Sequence, residues 1–99
     1  MILITFGFLI LIIMSNLIAQ SEEFVLNLLS NELDKKYVYH NFSHTQRVVK
    51  KVIEIAKNYN LNDVETQNLT IAAWFHDTGF IIGAQNHEEE SVKIVTKFL

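Results

Sequence analysis

Nothing in this sequence forces a helix to stop: it contains no proline, and its three glycines are Gly7, Gly79 and Gly83. Proline deletes a helical hydrogen bond and clashes with the preceding turn, and glycine in a helix interior costs about 1 kcal/mol against alanine. A chain that avoids both over most of its length is expected to be all-α, with helices joined by short connections. Its 99 residues bound it to a single domain.

Hydrophobic periodicity divides the chain. Leu17, Ile18, Phe24, Val25, Leu28, Leu29 and Leu33 fall on one stripe of a helix from about Ser15 to Leu33. A connector with Tyr37, Tyr39 and Phe42 follows. Ser43 is the expected N-cap of a second helix reaching Tyr59, with Val48, Val52, Ile55, Ala56 and Tyr59 turned inward. Asn60 to Asn62 reads as a turn. Asn62 and Glu65 have capping-box spacing and open a third helix carrying Val64, Ile71, Ala72 and Phe75, which ends near His76–Asp77 with Gly79 as its stop. Asn86 and Glu89 repeat that spacing before a fourth helix with Ser91, Ile94, Val95 and Phe98 on one face, and Glu88 to Glu90 suit its positive end. This helix is still running at Leu99, so the pattern reads as a helical bundle truncated after about four domain helices.

Residues 1–14 stand apart from this domain of residues 15–99. Twelve of these fourteen are apolar, all but Thr5 and Gly7, and no charge appears before Glu22. Three readings compete: a signal peptide, which lacks the usual basic start; a membrane anchor; and an extension foreign to the domain. As a helix, Met1 to Ala19 would reach roughly 28 Å, just short of the ~30 Å hydrocarbon core. The expected location is cytoplasmic, with membrane association through residues 1–19 if the segment is an anchor.

The chain has no cysteine, which excludes disulfide scaffolds, thiolate metal sites and cysteine nucleophiles. Any metal must be held by nitrogen and oxygen. The net charge of -3 is mixed, and Lys35–Lys36 and Lys50–Lys51 are doublets rather than a basic stripe, so nucleic acid is not an expected partner. The four histidines fall at helix ends or inner positions. His44 lies one turn before Val48, His76 adjoins Asp77, and His87 shares a face with Ser91 and Ile94. Helix ends that converge in this way can build a metal site, and imidazoles with a carboxylate suit Mn, Fe, Zn, Co or Ni. Against this stands the plainer reading that each histidine is a hydrogen-bonded helix-end residue.

Three stretches together carry a resemblance. Tyr39-His40-Asn41-Phe42-Ser43-His44-Thr45-Gln46-Arg47-Val48-Val49 resembles the first motif of the HD-domain phosphohydrolase superfamily. Ile71-Ala72-Ala73-Trp74-Phe75-His76-Asp77-Thr78-Gly79-Phe80 is similar to its His-Asp motif, and Asn86-His87-Glu88-Glu89-Glu90-Ser91 to the histidine-bearing helix start that follows in many members. The resemblance spans roughly residues 15 to 99, in the expected order. It implies a metal-dependent phosphohydrolase acting on a phosphorylated small molecule or nucleotide, with His44, His76 and Asp77 holding a divalent cation (Mn, Fe, Zn, Co, Ni or Mg). It also implies a fourth ligand, an aspartate on a later helix, but no aspartate follows Asp77 in this sequence. A partial HD domain that hydrolyses poorly or not at all by itself is therefore expected.

His40 resembles the leaving-group proton donor of cyclic-nucleotide phosphodiesterases, and His87 is a second candidate for that role. Arg47, the only arginine, follows His44 by three residues and is the candidate phosphate grip, against a reading as solvated surface. The competing functional class is a non-catalytic helical module that binds metal or nucleotide.

Overall fold

The computed structural model describes residues 2–37 and 40–99, and of the side chains before Asn16 only that of Leu9. Four α-helices account for most of it: α1 (Ile2–Glu32), α2 (Phe42–Asn58), α3 (Asp63–Phe75) and α4 (His87–Phe98), with a 3₁₀ turn (Thr78–Ile81) between α3 and α4. No strand occurs among the described residues, so the all-α expectation holds. Where the sequence pattern starts the first helix near Ser15, α1 runs unbroken from Ile2. The three readings of residues 1–14 depend mostly on side chains outside the described ones. Among the described residues no helix is long and apolar enough to cross a membrane. Tyr39, which belongs to the connector and to the first motif, also lies outside them.

The connection between α2 and α3 is built by three asparagine-flanked positions. Asn60 takes the left-handed conformation (φ 55) that ends a helix in a Schellman motif. Leu61 N–H bonds the Ala56 carbonyl at 3.0 Å and Asn60 N–H that of Lys57 at 3.2 Å. Asn62 then caps α3 in a complete capping box, its Oδ1 accepting the Glu65 amide at 2.8 Å and Glu65 Oε1 accepting the Asn62 amide at 3.1 Å.

Two expected caps are corrected. Asn41 rather than Ser43 caps α2, with Oδ1 accepting the His44 amide at 2.9 Å. Asn86 does not form a capping box: it is left-handed (φ 62) and its side chain makes no capping bond, because that bond needs an extended N-cap backbone. At Asn86 the chain must instead turn sharply to lay α4 back over Gly79.

The core joins Val25 and Leu29 of α1, Val49 of α2 and Ile71, Ala73, Trp74 and Phe75 of α3. Helix α3 is the central element: nearly every residue from Thr70 to Phe75 is buried, while Val64 and Ala72, expected on its inner stripe, are exposed. The inner face of α2 is also rotated from expectation, with Thr45, Val49 and Ala56 buried and Ile55 and Tyr59 out in solvent. Phe24, Phe75 and Phe98 bridge α1, α3 and α4, with centroid separations of 4.9 to 5.8 Å, and of the three only Phe75 is fully buried, which contributes roughly 2–3 kcal/mol.

Candidate metal centre

Two chain reversals bring the site together. The Asn41 cap starts α2 so that His44 stands in its first turn, and His40 immediately precedes the cap. At the other side α3 ends at His76, whose N–H makes only a long 3.5 Å bond to the Ala73 carbonyl. Asp77 then leaves the helix (φ -109, ψ 6), and its side chain turns inward. The carboxylate is buried, and three imidazoles about one-third exposed surround it.

One atom organises the group. Asp77 Oδ2 lies 2.9 Å from His40 Nδ1, 3.2 Å from His76 Nε2 and 3.5 Å from His44 Nε2. Ligands held about 2.1 Å from one ion at tetrahedral to octahedral angles lie roughly 3.0 to 3.4 Å apart, which matches this spread. The ligating atoms of His40, His44 and Asp77 all fall within 4.8 Å of one another, so this group could hold a metal ion.

Hydrogen bonds fix the ring orientations. His76 Nδ1 donates to the Ala73 carbonyl at 2.6 Å, so its Nε2 presents a lone pair toward the Asp77 carboxylate unless a proton or another cation lies between them. The hydrogen bond to Asp77 is the main influence raising the His76 pKa above its ordinary value; burial opposes it, while the Ala73 carbonyl and the Asp77 charge add to it. Burial would raise the Asp77 carboxyl, but the hydrogen bonds and charges of His76 and His40 outweigh it and bring the pKa down to about 2.

The remaining candidates lie further out. Phe80 stacks on His40 at 3.9 Å between centroids and packs, tilted by 31°, against His87 at 4.2 Å; two rings so near cannot share one face, so Phe80 separates the histidines. His87 Nδ1 donates to the Ala84 carbonyl at 3.1 Å. Arg47 is exposed on α2, one turn beyond His44. A mostly apolar cavity of 190 Å³ between α3 and α4 adjoins His76, with Glu88 and Ser91 in its wall.

Sequence reasoning expected His44, His76 and Asp77 as the ligands and placed His40 outside them, whereas the group of mutually close ligating atoms is His40, His44 and Asp77, with His76 3.2 Å from the same carboxylate oxygen. It also passed over Phe80 and the hydroxyl of Ser91, which accepts the Gly79 amide. The signal for Ser91 was its place one turn after His87 on the same face. Comparison with protein-family models, with curated proteins and with solved structures gives no match.

Proposed function

We propose that the protein is a metal-dependent phosphohydrolase of the HD-domain type, acting on a phosphorylated small molecule or nucleotide. The observation that carries this reading is the convergence of three imidazole nitrogens on Asp77 Oδ2 at 2.9 to 3.5 Å, among which the ligating atoms of His40, His44 and Asp77 all lie within 4.8 Å of one another. The two motifs that resemble the superfamily supply these very residues.

In this reading His44, His76 and Asp77 hold a divalent cation. The bound cation supplies Lewis acidity toward a phosphoryl oxygen and makes water a better nucleophile near neutral pH. His76 donates Nδ1–H to the Ala73 carbonyl and keeps Nε2 free to ligate. His40 is held through Nδ1 by Asp77 and by the face of Phe80, which leaves Nε2 to deliver a proton to the departing oxygen. Arg47, on the same helix as His44, contributes positive charge for a phosphate.

Three imidazoles gathered on one buried carboxylate serve equally a second reading, a metal- or nucleotide-binding module without turnover. Hydrolysis of bis(p-nitrophenyl) phosphate and p-nitrophenyl phosphate, with and without Mn(II), separates the two. The enzyme reading expects Mn-dependent release of nitrophenolate that His40→Gln reduces while bound Mn is retained. Binding of Mn with no turnover on either ester would leave the module.

A further inference from the structure

Ser91 is 5% exposed, and its hydroxyl meets three backbone groups. Its Oγ accepts the Gly79 amide at 2.8 Å and faces the carbonyls of His76 at 3.0 Å and His87 at 2.8 Å, between which its single proton is shared. The bond to His87 is the ordinary back bond of a helical serine to the preceding turn. The other two cross to the segment that carries the site. The His76 carbonyl belongs to the peptide just before Asp77, and the Gly79 amide lies two residues after Asp77. One hydroxyl therefore grips the backbone on both sides of the carboxylate.

The approach is possible only because residue 79 has no side chain. A Cβ there would fall inside the His87 carbonyl and 2.8 Å from the Ser91 nitrogen. The grip also acts where the helix itself no longer does, since α3 ends at His76 with a 3.5 Å backbone bond.

We propose that Ser91 is a positioning residue of the metal centre: by pinning the His76 carbonyl and the Gly79 amide, it sets the directions in which His76 and Asp77 present their ligating atoms. This rests on the cation reading above. A serine that merely fastened α4 to the bundle would affect stability alone, so the two roles differ in what they do to metal affinity.

The test is a Co(II) titration of metal-free wild type, Ser91→Ala, Ser91→Thr and Asn62→Ala, well below every melting temperature, following visible absorption and dissociation constant. Ser91→Ala should weaken Co(II) binding about 10- to 100-fold and alter the band shape. Ser91→Thr keeps the hydroxyl, has the adjoining cavity for its methyl group, and should recover most of the affinity. Asn62→Ala removes a cap at the far end of α3; it should lower stability and leave affinity unchanged. Wild-type affinity in Ser91→Ala, or equal weakening in Asn62→Ala, overturns the proposal while leaving the cation site in place. A wild type that binds no Co(II) overturns the cation reading and this inference with it. Should Ser91→Ala not fold, amide exchange in the wild type decides: Zn(II) should slow exchange at Gly79 more than at Val95 or Leu99, and equal slowing contradicts the proposal.

Discussion

Raising the pH of the metal-free protein from 5 to 8 should weaken it, and a divalent cation should reverse the loss. His76 commits its Nδ1–H to the Ala73 carbonyl and turns Nε2 toward Asp77, so the metal-free pair is favourable when His76 carries a second proton. Its hydrogen bond to Asp77, against burial and with help from the Ala73 carbonyl and the Asp77 charge, raises its pKa above 6.5. A raised pKa contributes stability that is complete below the unfolded value and is lost as pH rises through the folded one. For Asp77, burial pulls upward but the His76 and His40 hydrogen bonds prevail, lowering the carboxyl from 3.8 to about 2. That contribution is complete above the unfolded value and lost as pH falls toward 2. The pairing of a protonated His76 with an ionised Asp77 is therefore strongest between about pH 4 and 6.5. At face value the Asp77 shift corresponds to about 2 kcal/mol; with the imidazoles one-third exposed, solvent screening reduces this to about 1 kcal/mol. In a chain of this size 1 kcal/mol moves the melting temperature by about 4–8 °C. Thermal melts in EDTA at pH 5 and 8, for wild type and Asp77→Asn, isolate the effect. The wild type should lose more of its melting temperature than the variant between these pH values, with Mn(II) at pH 8 restoring it, while the about 4–8 °C contributed by the Asp77 shift should disappear only as pH falls toward 2. Identical pH dependence in the two proteins would refute the reasoning.

Other perturbations separate packing from ligation. Gly79→Ala forces a Cβ into the α4 backbone and should cost about 1–3 kcal/mol in urea denaturation. Asn62→Ala breaks the capping box of α3 and should cost about 1 kcal/mol in the same assay. His87→Gln should leave Mn content unchanged by elemental analysis, because Phe80 stands between His87 and His40. Phe75→Ala empties the shared core of α1, α3 and α4 and should cost about 3–5 kcal/mol by thermal or urea unfolding.

The elements that could be read from sequence were those with local causes. The Asn62–Glu65 capping box and the end of α3 at His76 follow from residues that lie within one turn of each other. The faces of α2 and α3 were harder to read. Helix α3 is enclosed on several sides near its C-terminus, so a one-stripe pattern mistakes Ala72 for core. Asn86 has a capping residue's identity, but the close passage of α4 over Gly79 dictates its left-handed backbone. Within the site, the resemblance to the HD-domain motifs pointed to His44, His76 and Asp77, and their convergence on one oxygen is a tertiary fact. His40 was given a separate role from its resemblance to a leaving-group proton donor, and nothing local shows that it reaches Asp77 across 37 residues. Ser91 was likewise invisible as a bridge, since its partners lie 12 and 15 residues upstream.

Asp77, with His44 and His76, is proposed to hold one divalent cation. Equilibrium dialysis of wild type and Asp77→Ala against Mn(II), with helicity checked by circular dichroism, tests it most directly. One ion per chain in the wild type, lost in a variant that remains helical, is the predicted result. A full complement of metal in Asp77→Ala, or none in the wild type, would contradict it.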